Sequence, residues 1–197
     1  MNWRAFHLLV FVHFSFLTTC WGQAPISNEV TLKSLPNAYG QIIDPRTDVE
    51  QGLVLIFTNH GCLYSQLYSA RLNEMQQEFA ALGIKLVAIE TKIDSFENSS
   101  LSLANYLSEV TTSYSYLIDI DNTLARAMGA ESSPHAFLLR KQEEAFQIVY
   151  EGSIDNNSRN RDRVTRDYLR DAVTQLLAGE EITYSKSKPI GCDISKN

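Results

Sequence analysis

The chain has 197 residues, of which 44% are hydrophobic and 20% are charged, and its net charge is −6 at pH 7. This length suits one globular domain with a sizeable core and is short for two domains. The acidic balance argues against nucleic acid as a partner, because the sequence has no continuous basic stripe that could neutralise phosphates.

The first 22 residues have the pattern of a signal peptide. Arg4 is followed by an apolar run from His7 to Leu17, and small or polar residues come next. Such a run suits the core of a signal peptide and is too short for a membrane span, which needs about 20 residues. We therefore expect cleavage after Gly22 and an exported protein, periplasmic or secreted, with no transmembrane span in its mature part. The alternative is a lipoprotein that carries lipid on Cys20.

Residues 51–183 have the alternating pattern of one α/β domain, after a polar, irregular segment at 23–50 and before a C-terminal tail at 184–197. The predicted elements are a short strand near Val30–Leu35, a strand at Leu53–Phe57, a helix at Cys62–Leu82, a strand at Ile84–Ile89, a helix around Leu103–Val110, a strand at Tyr116–Ile118, a helix from Asp121 to Gly129, strands at His135–Arg140 and Gln147–Glu151, and a helix at Thr165–Leu177. The continuous apolar run at 53–57 is typical of a strand buried on both faces. This order predicts a βαβ half and a ββα half around one central mixed sheet flanked by helices.

The turn between the strand at 53–57 and the first long helix is the predicted reactive site. Backbone N–H groups and the helix dipole favour negative charge at the start of a helix. Cys62 stands there, so its sulfur is biased toward the reactive thiolate form. His60, two residues earlier, is a candidate to stabilise that thiolate. The alternative for Cys62 is a small buried hydrophobic residue, and the alternative for His60 is an exposed turn residue.

Four segments of the sequence carry a family resemblance. They are FTNHGCLYSQLYSARL at Phe57–Leu72, ARAMGAESSPHAFLL at Ala125–Leu139, YEGSIDN at Tyr150–Asn156 and KPIGC at Lys188–Cys192. Through them, residues Leu53–Asp193 resemble the thioredoxin-like redoxins, the group related to alkyl hydroperoxide reductase and thiol-specific antioxidant proteins. The resemblance implies a single-domain thioredoxin-like fold.

The resemblance also implies a groove for a partner strand beside the reactive turn. In this family the proline that corresponds to Pro134 is cis, and the backbone before it, at Ser133, pairs with a bound peptide. Asn59, His60 and Gly61 would form the opposite wall of that groove. The alternative for Pro134 is an ordinary proline at the start of a strand.

The reactive turn departs from the family pattern at one position. The family usually has Cys-x-x-Cys there, and the alignment places Asn59 at the first cysteine and Cys62 at the second. In the two-cysteine mechanism the first, exposed thiolate attacks and the second resolves the mixed disulfide. Asn59 can do neither, so an ordinary dithiol mechanism at this turn is excluded.

Three hypotheses remain for Cys62 and Cys192. In the first, Cys62 is a single nucleophile for thiol exchange or peroxide reduction, and Cys192 resolves the product. In the second, the two cysteines form a permanent structural disulfide. In the third, the domain is a redox-inactive binding module. We rank the first ahead of the others, with a protein thiol or disulfide, or a peroxide, as the partner. No cofactor is expected, and the cysteines with His60 and His135 lack the spacing of a metal site.

Overall fold

The computed structural model of the protein describes residues 29–91 and 96–194. The predicted signal peptide at 1–22, with Cys20, lies outside these residues. The strands are β1 (Leu35–Pro36), β2 (Ile42–Ile43), β3 (Gly52–Thr58), β4 (Ile84–Glu90), β5 (Ser115–Ile118), β6 (Ser132–Ser133), β7 (His135–Gln142), β8 (Ala145–Gly152) and β9 (Cys192–Asp193), and the α-helices are α1 (Leu63–Ala80), α2 (Phe96–Glu109), α3 (Thr123–Met128) and α4 (Tyr168–Ala178). No helix within the described ranges is long and apolar enough to cross a membrane.

Five strands form the central sheet, in the order β5-β4-β3-β7-β8. β3 lies in the middle, parallel to β4 and antiparallel to β7. β5 extends the parallel side, and β7 with β8 forms the predicted antiparallel hairpin. The sheet is therefore mixed and flanked by helices, which confirms the predicted fold class.

Both faces of β3 are covered, and this burial explains its continuous apolar sequence. Side chains alternate between the two faces of a strand. Val54 and Ile56 pack on the face that receives α1 and α4, whereas Leu53, Leu55 and Phe57 pack on the face that receives α3 and β1. All five side chains are fully buried.

The predicted position of α2 is wrong at its start. The sequence predicts a helix around Leu103–Val110, because the residues before Leu103 are mostly polar. In the structure α2 begins at Phe96. Leu103 is fully buried and anchors the helix to the core, while Asn98 and Leu101 are exposed, so the segment before Leu103 has no apolar pattern from which its helix could be predicted.

Two shorter elements also differ from the prediction. The strand expected near Val30–Leu35 is instead β1, which begins at Leu35 and pairs with β2 in a separate two-stranded sheet. Asp121 is not the residue that directly precedes α3. That residue is Asn122, whose φ of 52° lies in the left-handed region, while Asp121 Oδ1 accepts a hydrogen bond from the Thr123 backbone N–H at 3.4 Å.

The register of the sheet brings the two parts of the predicted site together. Phe57 near the end of β3 pairs with His135 at the start of β7. The turn that follows β3 and the loop that precedes β7 therefore lie side by side at one edge of the sheet.

Candidate active site

Cys62 is the residue directly before α1. Its backbone is extended, with φ −86° and ψ 123°, and its N–H donates to the carbonyl of Asn59 at 2.9 Å. α1 has 18 residues, and no acidic side chain lies in its first turn. The positive end of the helix dipole therefore acts on the Cys62 sulfur without an opposing carboxylate in that turn.

Cys192 returns to Cys62 from the far end of the chain. The two cysteines form a disulfide across a sequence separation of 130 residues, with their Cα atoms 6.1 Å apart. That distance is within the usual range for a disulfide. Cys62 is only 4% exposed, whereas Cys192 is half-buried.

The loop before β7 forms one wall of the site. The Ser133–Pro134 peptide bond is cis, as the resemblance implies. The carbonyl oxygen of Ser133 lies 3.2 Å from Cys62 Sγ, and the Ser133 hydroxyl is 2.7 Å from the hydroxyl of Ser65 on α1. In the two-stranded pair of β6 and β9, Ser133 lies opposite Cys192. The C-terminal tail therefore pairs with the backbone that the resemblance assigns to a partner strand.

Asn59, His60 and Gly61 form a tightly bonded turn. The Asn59 side-chain amide donates to the carbonyl of Thr91 at 3.0 Å, and Asn59 Oδ1 accepts the Gly61 N–H at 3.0 Å. The His60 carbonyl accepts a hydrogen bond from Gln66 Nε2 on α1 at 2.8 Å. Asn59 therefore stabilises the turn through its side chain.

Glu90 is a buried carboxylate under this turn, and the sequence analysis did not identify it. Its Oε1 accepts from Asn59 Nδ2 and bonds His60 Nδ1, each at 2.9 Å, and the His60 backbone N–H lies 3.2 Å from Oε2. The Tyr116 hydroxyl donates to Oε2 at 3.0 Å. An acidic residue directly after the apolar run of β4 was the available signal in the sequence.

The His60 ring is held by Glu90 on one side and by α2 on the other. Its Nε2 lies 2.6 Å from the hydroxyl of Ser102. The hydrogen bond with Glu90 raises the pKa of His60 above 6.5, although burial opposes the shift. The imidazolium is thus favoured by a carboxylate partner, whose negative charge offsets its own.

A second histidine, His135, is buried on the other side of the site. Its Nδ1 accepts the backbone N–H of Glu131 at 3.2 Å, and its ring centroid lies 4.5 Å from that of Phe137. Burial lowers the pKa of His135 to about 4, so the ring is neutral at pH 7. The residue that follows Pro134 is therefore an uncharged imidazole at pH 7, which can form a hydrogen bond but carries no positive charge.

Arg71 on α1 does not serve the cysteines. Its guanidinium donates to Asp155 Oδ2 at 2.5 Å and to the carbonyls of Asn157 and Ser158. The Tyr68 hydroxyl donates to the other oxygen of Asp155 at 2.8 Å. This cluster attaches the loop after β8, which contains the last four residues of the YEGSIDN segment, to the helix that directly follows Cys62.

Comparisons with known proteins support the resemblance. Residues 26–154 match the model of the AhpC/TSA family. A hypothetical protein from Sinorhizobium meliloti 1021 is 24% identical with a TM-score of 0.70, and the match covers 86% of this chain and 93% of that chain. An uncharacterized conserved protein from Geobacillus kaustophilus is 22% identical with a TM-score of 0.74, covering 86% of this chain and 90% of that one.

A similar structure with a redox name is a putative thiol:disulfide interchange protein DsbE from Chlorobium tepidum. It is 16% identical with a TM-score of 0.56, and the match covers 77% of this chain and 94% of that chain. The search of curated proteins gives no match. The family model covers more than half of the chain, and the solved structures share its fold. The chain therefore belongs to the AhpC/TSA family and has a thioredoxin-like fold.

Proposed function

We propose that the protein is an exported thiol–disulfide exchange protein whose redox couple is Cys62 and Cys192. The observation that carries the proposal is the pairing of these cysteines at the start of α1, beside the backbone of Ser133. The expectation of export comes from the N-terminal sequence pattern alone. The partner is a protein that presents a dithiol or a disulfide.

The positions of the two cysteines assign them different roles. In the reduced protein the Cys62 thiolate, at the start of α1, attacks a disulfide of the partner, which forms a mixed disulfide on Cys62 and releases the partner's other sulfur as a thiolate. Cys192 then attacks Cys62 Sγ in the mixed disulfide, which restores the Cys62–Cys192 bond and releases the partner's second sulfur as a thiolate. The partner is thereby reduced and the protein is oxidised by two electrons.

Cys62 is suited to be the attacking thiolate. The thiolate rather than the thiol is the nucleophile, and the start of a helix favours the thiolate form of a cysteine. The first turn of α1 has no acidic residue to oppose this effect, whereas any positive charge on His60 is offset by the Glu90 carboxylate that it contacts. A partner that presents a dithiol reverses both steps, and Cys62 is then the final leaving group.

Peroxide reduction is a second candidate, and the proximity of the two cysteines favours it. The Cys62 thiolate would attack a peroxide oxygen and form a sulfenic acid, releasing an alcohol or water. Cys192 would then condense with the sulfenic acid, giving the disulfide and water. Arg71 is bonded to Asp155 and to two carbonyls, so it offers no cation to a peroxide at Cys62. We therefore rank exchange first.

The test follows thiol transfer by the native protein and its variants Cys62→Ser and Cys192→Ser. We expect dithiothreitol to reduce the native disulfide, and the reduced protein to reduce a protein disulfide at least 100-fold faster than either variant. Cys192→Ser should accumulate a mixed disulfide on Cys62. Ser108→Ala, an exposed change on α2, is the matched control and should exchange at the native rate.

Two results would contradict exchange and identify an alternative. A disulfide that resists dithiothreitol until the protein unfolds would identify a structural bridge. Peroxide consumption with sulfenic acid on Cys62 in the Cys192→Ser variant, without exchange, would identify a peroxidase.

A further inference from the structure

The C-terminal tail is attached to the domain in two parts. The first part, at residues 185–188, runs beside β8. Glu151 donates its N–H to the Ser185 carbonyl, and Ser187 donates its N–H to the Glu151 carbonyl, each at 3.0 Å. The Ser187 hydroxyl accepts the Ser153 N–H at 2.9 Å, and the Ser153 hydroxyl donates to the Lys188 carbonyl at 2.8 Å. These bonds are independent of the disulfide.

The second part, at residues 189–194, is held by different contacts. It has the disulfide at Cys192, the short pairing of β9 with β6, and a hydrogen bond from the Ile194 N–H to the Glu131 carbonyl at 3.1 Å. The Ile194 side chain is buried, while Ile190 is 54% exposed. Among these contacts the disulfide is the one covalent bond, and it fixes Cys192 more firmly than a two-residue pairing, one backbone hydrogen bond and a buried side chain can.

The path of this second part requires glycine before the cysteine. Gly191 passes directly over the peptide bond between Ser133 and Pro134. A Cβ on Gly191 would overlap the Ser133 carbonyl and would lie 3.0 Å from the Pro134 nitrogen. Contacts this short with backbone atoms cannot be relieved by turning a side chain. Any segment that follows the same path, with its cysteine opposite Ser133, must therefore carry glycine at this position.

We propose that residues 189–194 are a displaceable internal ligand of the groove before Pro134, and that this groove selects a partner segment with the sequence Gly-Cys. This inference rests on the proposed exchange function and names the substrate class. Reduction of the Cys62–Cys192 bond by a dithiol, which is itself oxidised to a disulfide, releases the second part of the tail, while residues 185–188 stay attached. A Gly-Cys segment of a partner disulfide then pairs with Ser132–Ser133. The Cys62 thiolate attacks the sulfur of that cysteine, which forms a Cys62–partner disulfide and releases the partner's other sulfur as a thiolate.

Release is tested by hydrogen exchange of the oxidised and the reduced protein. We expect reduction to speed amide exchange at residues 190–194 at least tenfold and to leave 185–188 unchanged. Equal exchange at 190–194 in both forms would overturn the proposal, because the tail would then stay in place without the disulfide.

Selection is tested with the Cys192→Ser variant and two peptides, KPIGCDI and the matched KPIACDI, each as a mixed disulfide with thionitrobenzoate. The Cys62 thiolate attacks the peptide sulfur and releases coloured thionitrobenzoate. We expect the glycine peptide to react at least tenfold faster than the alanine peptide. Equal rates would overturn the inference but not exchange itself. A Cys62 that also fails with a small aromatic disulfide would overturn the proposed function.

Discussion

Glu90 shows how a single charged residue organises the reactive turn. It is 1% exposed, and the groups that bond it come from Asn59, His60 and Tyr116. A buried carboxylate is stable only when its lone pairs are satisfied, and here the turn satisfies them. Asn59, which the resemblance aligns with the first cysteine of the family pattern, is one of those donors. Its side chain therefore has a structural role in this turn.

Replacing Glu90 with glutamine tests this role. Glu90→Gln removes the charge and brings an NH₂ group toward several donors. We expect the free energy of unfolding to fall by about 2–3 kcal/mol, since hydrogen bonds to charged groups contribute about 1.5–3 kcal/mol each. Urea unfolding at pH 6 measures the loss, and Glu109→Gln on the exposed side of α2 is the control. Equal stability of native protein and Glu90→Gln would contradict the assigned role.

His135 predicts a dependence of stability on pH. Its pKa is lowered from 6.5 to about 4 by burial, so the unfolded chain binds a proton more readily than the folded one. The stability of the native protein is therefore full above pH 6.5 and is lost as pH falls toward 4, by about 3 kcal/mol.

The variant His135→Asn keeps an acceptor near the Glu131 N–H and cannot be protonated in this range. We expect the unfolding free energy of the native protein, measured relative to that of the variant, to fall by about 3 kcal/mol as the pH is lowered from 7.5 to 4. Denaturant titrations at a series of pH values measure this difference. A difference that does not change with pH would mean that His135 titrates normally in the folded protein.

Among the elements, α1 connects the reactive turn with the loop after β8. Arg71 and Tyr68 on α1 both bond Asp155, and Arg71 also bonds two carbonyls of the loop. The Arg71 and Asp155 side chains are both nearly inaccessible to solvent. Removal of one partner from a buried ion pair leaves the other charge uncompensated.

Asp155→Asn should therefore destabilise the protein by about 3–5 kcal/mol. Chemical unfolding measures the change, with Asp162→Asn in the exposed 3-10 helix as the matched control. The double variant Arg71→Met, Asp155→Asn should lose less stability than the sum of the two single variants, because no buried charge is left unpaired. Additive losses would show that the two side chains act independently.

At the scale of the whole molecule, the sequence predicts the regular elements well and the polar contacts poorly. The apolar run of β3, the helical spacing of α1 and the hairpin of β7 and β8 are local patterns, and the structure confirms them. The side-chain contacts of Glu90 with the reactive turn and Tyr116, and of Asp155 with α1, join residues that are 26 or more positions apart. Such contacts depend on the register of neighbouring strands and on helix placement, which no local pattern specifies.

The site shows the same division between local and long-range information. Cys62 at the helix start follows from the local pattern, and the cis Ser133–Pro134 bond follows from the resemblance. The pairing of β9 with β6 was not predicted, because a two-residue strand after an irregular segment has no periodicity to detect. The family model itself ends at residue 154, well before Cys192.

The position of the disulfide also determines how the chain responds to mechanical force. The bond closes a covalent ring from Cys62 to Cys192, and β3 lies outside this ring. Tension between the two ends of the oxidised chain passes through the sulfur atoms and bypasses most of the domain. It acts instead on β3, which is drawn out from between β4 and β7. Reduction removes this bypass, so that the chain then extends along its whole length.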